Sequence, residues 1–186
     1  MESVRLFSCP KWGGVKPLTI LVFMEIVKTP RDSAVETRHI VMPDHANHYG
    51  TLFGGVLMSW IDLIAVMVAQ RHCGREAVTA SVDKLNFLEP ISVGDHVILK
   101  ASVNFTGRSS MEIGVQVSKE NPYTGVVVRA TTAYLTFVAL DENKKPCPIP
   151  RLQPETNLEI RRYENAILRQ ESNRELLRKI KEKGSS

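Results

Sequence analysis

The chain has 186 residues, of which 43% are hydrophobic and 24% charged, and it carries a net charge of +4. This suits one well-buried domain with tails and excludes a disordered or membrane-embedded chain. Much of the positive surplus lies after residue 150, where Arg161, Arg162, Arg169 and Arg174 interleave with Glu164, Glu171 and Glu175. Mixed charge without interleaved aromatics describes a solvated helix face and argues against a nucleic-acid partner.

In chain order, the apolar run LTILVFM at residues 18–24 is too short to span a bilayer, which takes about 20 apolar residues. Glu2 precedes it, Glu25 interrupts it and no small-residue cleavage site follows, so it does not read as a secretory signal. Met24 opens MEIVKTPRDS, an ordinary cytosolic start, which makes residues 1–23 read as an upstream extension. Cys9, Cys73 and Cys147 are odd in number and lack metal-ligand spacing, as expected of reduced thiols in a cytoplasm.

After KTPRDSA, a strand is predicted over Val35 to Met42, ending at Pro43. The loop DHANHYGTLFGG gives way to a helix over Gly54 to Gln70 that is apolar on nearly every side. Asp62 sits in its middle. A carboxylate in such a setting is costly unless it is paired, protonated or functional. Strand-like runs follow over Val78–Leu88, Val97–Phe105, Met111–Ser118 and Val126–Leu140, separated by Pro90 and Gly94, by Gly107, and by NPYTG.

This order predicts an α+β domain with one antiparallel sheet. A helix apolar all round cannot lie on a flat sheet without exposing its back, so the sheet must curl or a second subunit must cover it. The last strand is apolar on both faces, which implies an oligomer or cover by the chain's own termini. Beyond Pro148, Pro150 and Pro154, a helix is predicted from Glu155 to about Lys183, peripheral and frayed at its end. The chain thus divides into an N-terminal extension (1–34), a domain (35–152) and a charged C-terminal helix and tail (153–186).

The run HANHYGTLFGGVLMSWIDLIA, together with NFLEPISVGD at 86–95, FTGRSSMEI at 105–113 and AYLTFVALD at 133–141, resembles the hotdog-fold acyl-CoA thioesterases. The bacterial acyl-CoA hydrolases and the brain-type cytosolic ones are the nearest in pattern, over roughly residues 35–152. The resemblance implies a hotdog fold, an antiparallel sheet wrapped around one long buried helix. It also implies hydrolysis of acyl-CoA to free acid and coenzyme A, with no cofactor beyond the coenzyme A of the substrate. Two hotdogs would pair side by side with shared sites, and pairs would assemble into a hexamer. Residue by residue, the family's catalytic carboxylate falls on Asp62, its catalytic asparagine on Asn47 and its glycine pair on Gly54 and Gly55.

These residues suit the chemistry. The first N–H groups of a helix are free and sit at the positive end of its dipole, so Gly54 and Gly55 offer an oxyanion site. Asp62 lies seven residues beyond Gly55, about 10 Å along the axis. One carbonyl cannot touch both, so if both act on one thioester they come from different subunits. Asp62 then serves as general base or as nucleophile, two roles the sequence leaves open. Asn47 would orient water or the carbonyl, and Ser59, three residues before Asp62, is expected to hydrogen-bond the carboxylate.

For the coenzyme A phosphates, the turn residues Arg108, Ser109 and Ser110 are the candidates, ahead of Arg129 and Lys84. His45 and His48 lack the further ligands a metal would need, so no metal is expected. Two other readings stay open. One is an enoyl-thioester hydratase or dehydratase pairing a loop histidine with Asp62; the other is a non-catalytic acyl-CoA sensor, although no helix-turn-helix precedes the domain.

Overall fold

The computed structural model describes residues 27–83 and 85–184. The expectations for residues 18–24, the Met24 start, Cys9 and Lys84 lie outside the described residues.

In chain order the elements are β1 (Val27–Lys28), α1 (Pro30–Ser33), β2 (Val35–Ile40), a 3-10 turn (Pro43–His45), α2 (Gly54–Cys73), β3 (Glu76–Val82), β4 (His96–Thr106), β5 (Ser110–Glu120), β6 (Val127–Leu140), β7 (Arg151–Leu152) and α3 (Asn157–Gly184). Five strands form one antiparallel sheet in the order β2-β4-β5-β6-β3. The sheet curls around α2, which is the hotdog arrangement. The strand expected over Val78–Leu88 stops at Val82. β3 is an edge strand beside β6 while β4 lies two strands further in, so the chain leaves the ladder after Val82 to cross over.

The inner face of the sheet is built by alternation. Leu99 and Val103 on β4, Ile113 and Val115 on β5, and Leu135 and Phe137 on β6 are all buried, each contributing about 1.5–3 kcal/mol by leaving water. Against them α2 presents Leu57, Trp60, Ile61, Ile64, Ala65 and Val68, the three-and-four spacing of one helical face. Gly74, at φ 65°, stops the helix in the left-handed conformation that glycine adopts without strain.

The sheet covers only that face. Leu63, round the far side of α2, and Met58 and Met67, on its two flanks, remain 55%, 46% and 48% exposed. The expectation that Asp62 lies in a dry core is therefore corrected for the single protomer: Asp62 is half-buried, at the border between the covered face and the bare one.

The C-terminal helix α3 lies over the outer face of the sheet, chiefly against β4, and reaches β6 through Arg169 on Tyr134. Ala166 of α3 is fully buried, Tyr163 packs on Phe105 with ring centroids 5.4 Å apart, and the Arg169 guanidinium lies 3.7 Å from the Tyr134 ring centroid. Glu112, 2% exposed, accepts hydrogen bonds from Arg169 at 2.6 and 3.2 Å. The first half of α3 is thus anchored by a buried ion pair, and the wholly exposed portion begins at Glu171. Removing one member of such a pair strands a buried charge, at a cost of about 3–5 kcal/mol.

The packed body also takes in residues 27–34, ahead of the boundary at 35 drawn from sequence. Lys28 donates to the carbonyls of Arg71 and His72 at 2.9 and 2.8 Å, binding the free carbonyl end of α2. His72 is fully buried. Its Nε2–H donates to the Pro150 carbonyl at 3.0 Å, and the Ser33 hydroxyl meets its Nδ1 at 3.4 Å.

Burial pushes the His72 pKa below the ordinary 6.5, and nearby Lys28 adds to the effect against the opposing pull of the Pro150 carbonyl. Below 6.5 the unfolded chain therefore binds a proton that the folded chain refuses, so stability is complete above that value and is lost as pH falls through the folded pKa. The melting temperature should fall between about pH 7.5 and about pH 5.5, and the fall should shrink in His72→Gln. An unchanged slope in that variant would remove His72 as its source.

Candidate active site

The loop between β2 and α2 is shaped by Asn47. Its Oδ1 accepts the backbone N–H groups of Tyr49 (2.9 Å) and Thr51 (3.3 Å) and the Thr51 hydroxyl (3.2 Å). Its own N–H donates to the Thr51 carbonyl at 2.7 Å, across a turn that Gly50 completes at φ 75°. With Oδ1 so occupied, the Nδ2 donors are what this side chain has left to offer a ligand. The turn is pinned to α2 from behind. His39 stacks on Trp60 at 4.3 Å, His45 meets Trp60 edge-on at 5.1 Å, and the His45 carbonyl accepts the Phe53 N–H at 2.8 Å.

At the start of α2, Phe53 occupies the N-cap and has no side chain able to cap. Its carbonyl takes the N–H groups of Val56 and Leu57 at 3.0 and 3.2 Å, while among the described residues no acceptor meets those of Gly54 or Gly55. A Cβ at Gly55 would stand 2.5 Å from the Phe53 ring and one at Gly54 3.4 Å from the Phe87 ring. Glycine here keeps the backbone open to close approach.

Asn47 and Gly54 share a cleft of 380 Å³ whose apolar walls include Leu52, Leu57, Phe87, Leu88, Ile91 and Ala130. The β5–β6 register shifts at Val117/Ser118, and both Ala130 and Thr131 line the cleft, so the simple alternation expected along this strand breaks there.

Asp62 does not line this cleft. Its Oδ1 accepts a 2.7 Å hydrogen bond from the Thr79 hydroxyl. Thr79 follows Ala77 by two residues on β3, which puts both on the side facing α2, and the ladder shifts register directly after it. Sequence reasoning missed Thr79. Nothing local singled it out, since β3 carries Glu76 and Ser81 as polar residues too and the register shift after Thr79 breaks the alternation of the strand.

Within the protomer one expectation is corrected and two further groups of candidates find their places. The Ser59 hydroxyl donates to the Val56 carbonyl at 2.8 Å and not to Asp62, the back-bonding open to serine inside a helix. The turn carrying Arg108, Ser109 and Ser110 lies away from the cleft: Ser110 pairs with Val138, whereas Ser118 pairs with Arg129 beside the cleft, eight residues or about 26 Å along the strand. That turn stands at the Asp62 end of the molecule, since Thr79 pairs with Phe137 and Phe137 with Met111. Thirdly, neither loop histidine reaches the acid. The His45 Nδ1 accepts the Met42 N–H at 3.2 Å, and the His48 ring lies on Tyr49 at 3.8 Å. Among the described residues no group of three or more His, Cys, Asp or Glu is placed to hold a metal ion.

One protomer therefore carries two separate groups of candidate residues. One holds Asn47, the free N–H groups of Gly54 and Gly55, and the apolar cleft. The other holds Asp62, Thr79 and the Arg108 turn.

The thioesterase superfamily pattern matches residues 49–126. The uncharacterised acyl-CoA thioester hydrolase YkhA of Bacillus subtilis is 50% identical over 139 residues, covering 75% of this chain and 81% of the relative. A hexameric acyl-CoA thioesterase, solved in its apo form, superimposes with a TM-score of 0.80 at 38% identity, covering 82% of this chain and 97% of the other. The acyl-CoA hydrolase of Staphylococcus aureus, solved with butyryl coenzyme A, coenzyme A and coenzyme A disulfide, gives a TM-score of 0.76 at 38% identity over 86% of this chain and 96% of that one. Further structures of the Staphylococcus aureus enzyme carry alanine in place of an asparagine, an aspartate and a threonine, at successive spacings of 15 and 17 residues. Asn47, Asp62 and Thr79 stand at the same spacings. With half of the 139 aligned residues identical to a hydrolase, and the same sheet wrapped on the same helix, this chain belongs to the thioesterase superfamily, among its acyl-CoA thioester hydrolases.

Proposed function

We propose that this protein hydrolyses acyl-CoA thioesters to the free acid and coenzyme A at sites built from two protomers, each supplying the half-site the other lacks. The observation that carries this reading is the exclusion of Asp62 from the cleft that holds Asn47 and Gly54. The acyl chain enters the apolar cleft, and its carbonyl oxygen meets the free N–H groups of Gly54 and Gly55. As water or the carboxylate attacks, the oxygen gains charge, and those donors together with the Asn47 Nδ2 stabilise it. Asp62 of the neighbouring protomer acts as base or nucleophile, its unattacking oxygen held by the Thr79 hydroxyl. As base, Asp62 takes a proton from the attacking water and returns it to the coenzyme A sulfur as the C–S bond breaks. As nucleophile, it forms an anhydride as the C–S bond breaks, the thiolate takes a proton from water, and the hydroxide so formed splits the anhydride to release the acid and restore the carboxylate. The coenzyme A phosphates are met by Arg108, Ser109 and Ser110 on the protomer that supplies Asp62.

The exposed apolar residues Met58, Leu63 and Met67 around the uncovered part of α2, with Val78 and Val82 exposed on the edge strand β3, support the pairing. An exposed apolar edge strand is a liability unless another strand covers it. Hexameric assembly is supported by neighbours described as hexameric thioesterases. A cytoplasmic setting is supported by Cys73 and Cys147, both buried free thiols.

The test is complementation, read by thiol release from a panel of acyl-CoA chain lengths. Asp62→Asn alone should lose about 10³-fold or more in kcat, as should Asn47→Ala in large part. Subunits of the two variants, mixed and allowed to exchange, should recover about a quarter of wild-type turnover, since half the pairs are mixed and each mixed pair rebuilds one of its two sites. No recovery despite exchange would place the whole site in one chain. Separately, Thr79→Val deletes a hydrogen bond to a charged group worth about 1.5–3 kcal/mol, so kcat should fall about 10- to 100-fold with folding intact.

A further inference from the structure

A second cavity, of 400 Å³, lies on the opposite side of the sheet from the catalytic cleft, between the outer faces of β2, β4, β5 and β6 and the first half of α3. A helix covering a sheet ordinarily seals an apolar layer beneath it. Here the apolar packing of Tyr163 and Ala166 gives way to a polar layer around the cavity. Arg162, Asn165 and Arg169 stand at i, i+3 and i+7 on α3 and all line the cavity, the positions at which a docking helix presents apolar residues. Opposite them the sheet contributes Lys100, Ser102, Gln116 and Arg129.

The charges do not cancel. Glu36 is taken up by Lys100 at 3.1 Å and Arg38 at 3.2 Å, and Glu112, behind the wall, is taken up by Arg169. That leaves the guanidinium of Arg162, which meets no carboxylate among the described residues, and that of Arg129, whose partner is the neutral Thr132 hydroxyl. The floor is prearranged beneath them. Buried Asn104 donates its Nδ2 to Glu112 at 3.1 Å, and Gly114 leaves it room, since a Cβ there would stand 2.5 Å from that amide. Arg169 is fixed twice, by Glu112 and by the Tyr134 ring.

We propose that this groove is a binding site for a phosphoryl anion, gripped between Arg162 and Arg129 over the floor of Ser102 and Gln116. Guanidinium groups fit phosphate oxygens in pairs of hydrogen bonds, and a partly enclosed cavity with a cationic surplus concentrates anions. Arg129 and Thr132 line the groove while the residues between them, Ala130 and Thr131, line the catalytic cleft, so the two sites are back to back on one strand.

The test is a calorimetric titration of the full-length oligomer with inorganic pyrophosphate at constant ionic strength. Wild type should bind saturably, and affinity should fall at least tenfold in Arg162→Gln and again in Arg129→Gln, with melting temperatures unchanged. Two sources of the anion are then distinguished. If coenzyme A displaces pyrophosphate and Arg162→Gln raises KM for acyl-CoA at constant kcat, the groove, in place of the Arg108 turn, holds the nucleotide end of coenzyme A, an outcome that rests on the hydrolase reading. If coenzyme A does not compete and KM is unchanged, the ligand is a free phosphorylated compound. Absence of saturable binding, binding of equal strength in both variants, or a change of oligomer size in Arg162→Gln without pyrophosphate binding would overturn the proposal. None of those results touches the hydrolysis reading, which is measured by thiol release.

Discussion

The 20-residue helix α2 is apolar on more sides than one sheet can cover, and that mismatch governs the molecule. The curl of the sheet buries Leu57, Ile61, Ile64 and Val68, but a sheet of five strands closes around only one side of a helix about 10 Å across. Around the uncovered part stand Met58, Leu63 and Met67, with Asp62 at its border. In a single protomer the carboxylate is therefore half in water with one hydroxyl for company. Pairing through this face, as proposed, would remove that water and strengthen every interaction the acid makes. Assembly and activation of the acid are thus one event on this reading, and the cost of placing a charge on an apolar helix is met only where a substrate is present.

The other half-site obeys a different logic. Nothing about Asn47 is apolar or helical; its side chain instead replaces backbone partners for three donors in its own loop. Such a self-bonded turn holds its shape without burial, and the stack of His39, Trp60 and His45 behind it ties that shape to α2. The N–H groups of Gly54 and Gly55 and the amide of Asn47 are consequently carried by one rigid unit. Preorganisation of this kind is what lets neutral donors stabilise a developing charge without reorganising first.

Much of this was legible in the residues, and the misses have identifiable causes. The long helix, the antiparallel α+β architecture and the glycine start of α2 follow from periodicity and turn chemistry, which are local. The strand β3 was drawn too long because periodicity cannot report that an edge strand must release its chain to cross to the far side of the sheet. Ser59 was assigned to Asp62 by helical spacing, yet a serine inside a helix has a closer acceptor in its own backbone at Val56. Thr79 was invisible because its partnership with Asp62 depends on where β3 is placed, and that is set by pairing with β6, far away in sequence. The separation of the Arg108 turn from the Asn47 cleft is likewise a matter of strand register.

The strand β6 shows how such a small domain can carry two unlike surfaces. Its inner residues, Leu135 and Phe137, are apolar and belong to the core, while Tyr134 on the outer side carries the Arg169 guanidinium. A wholly apolar layer under α3 would have docked that helix as firmly, with no buried carboxylate to neutralise, and replacing buried ion pairs with hydrophobic packing is often neutral or stabilising. The chain instead keeps Glu112 in the wall and spends Arg169 to neutralise it, which frees Arg162 and Arg129 to remain uncompensated over a polar floor. Stability alone does not ask for that arrangement; a ligand with charge of the opposite sign does.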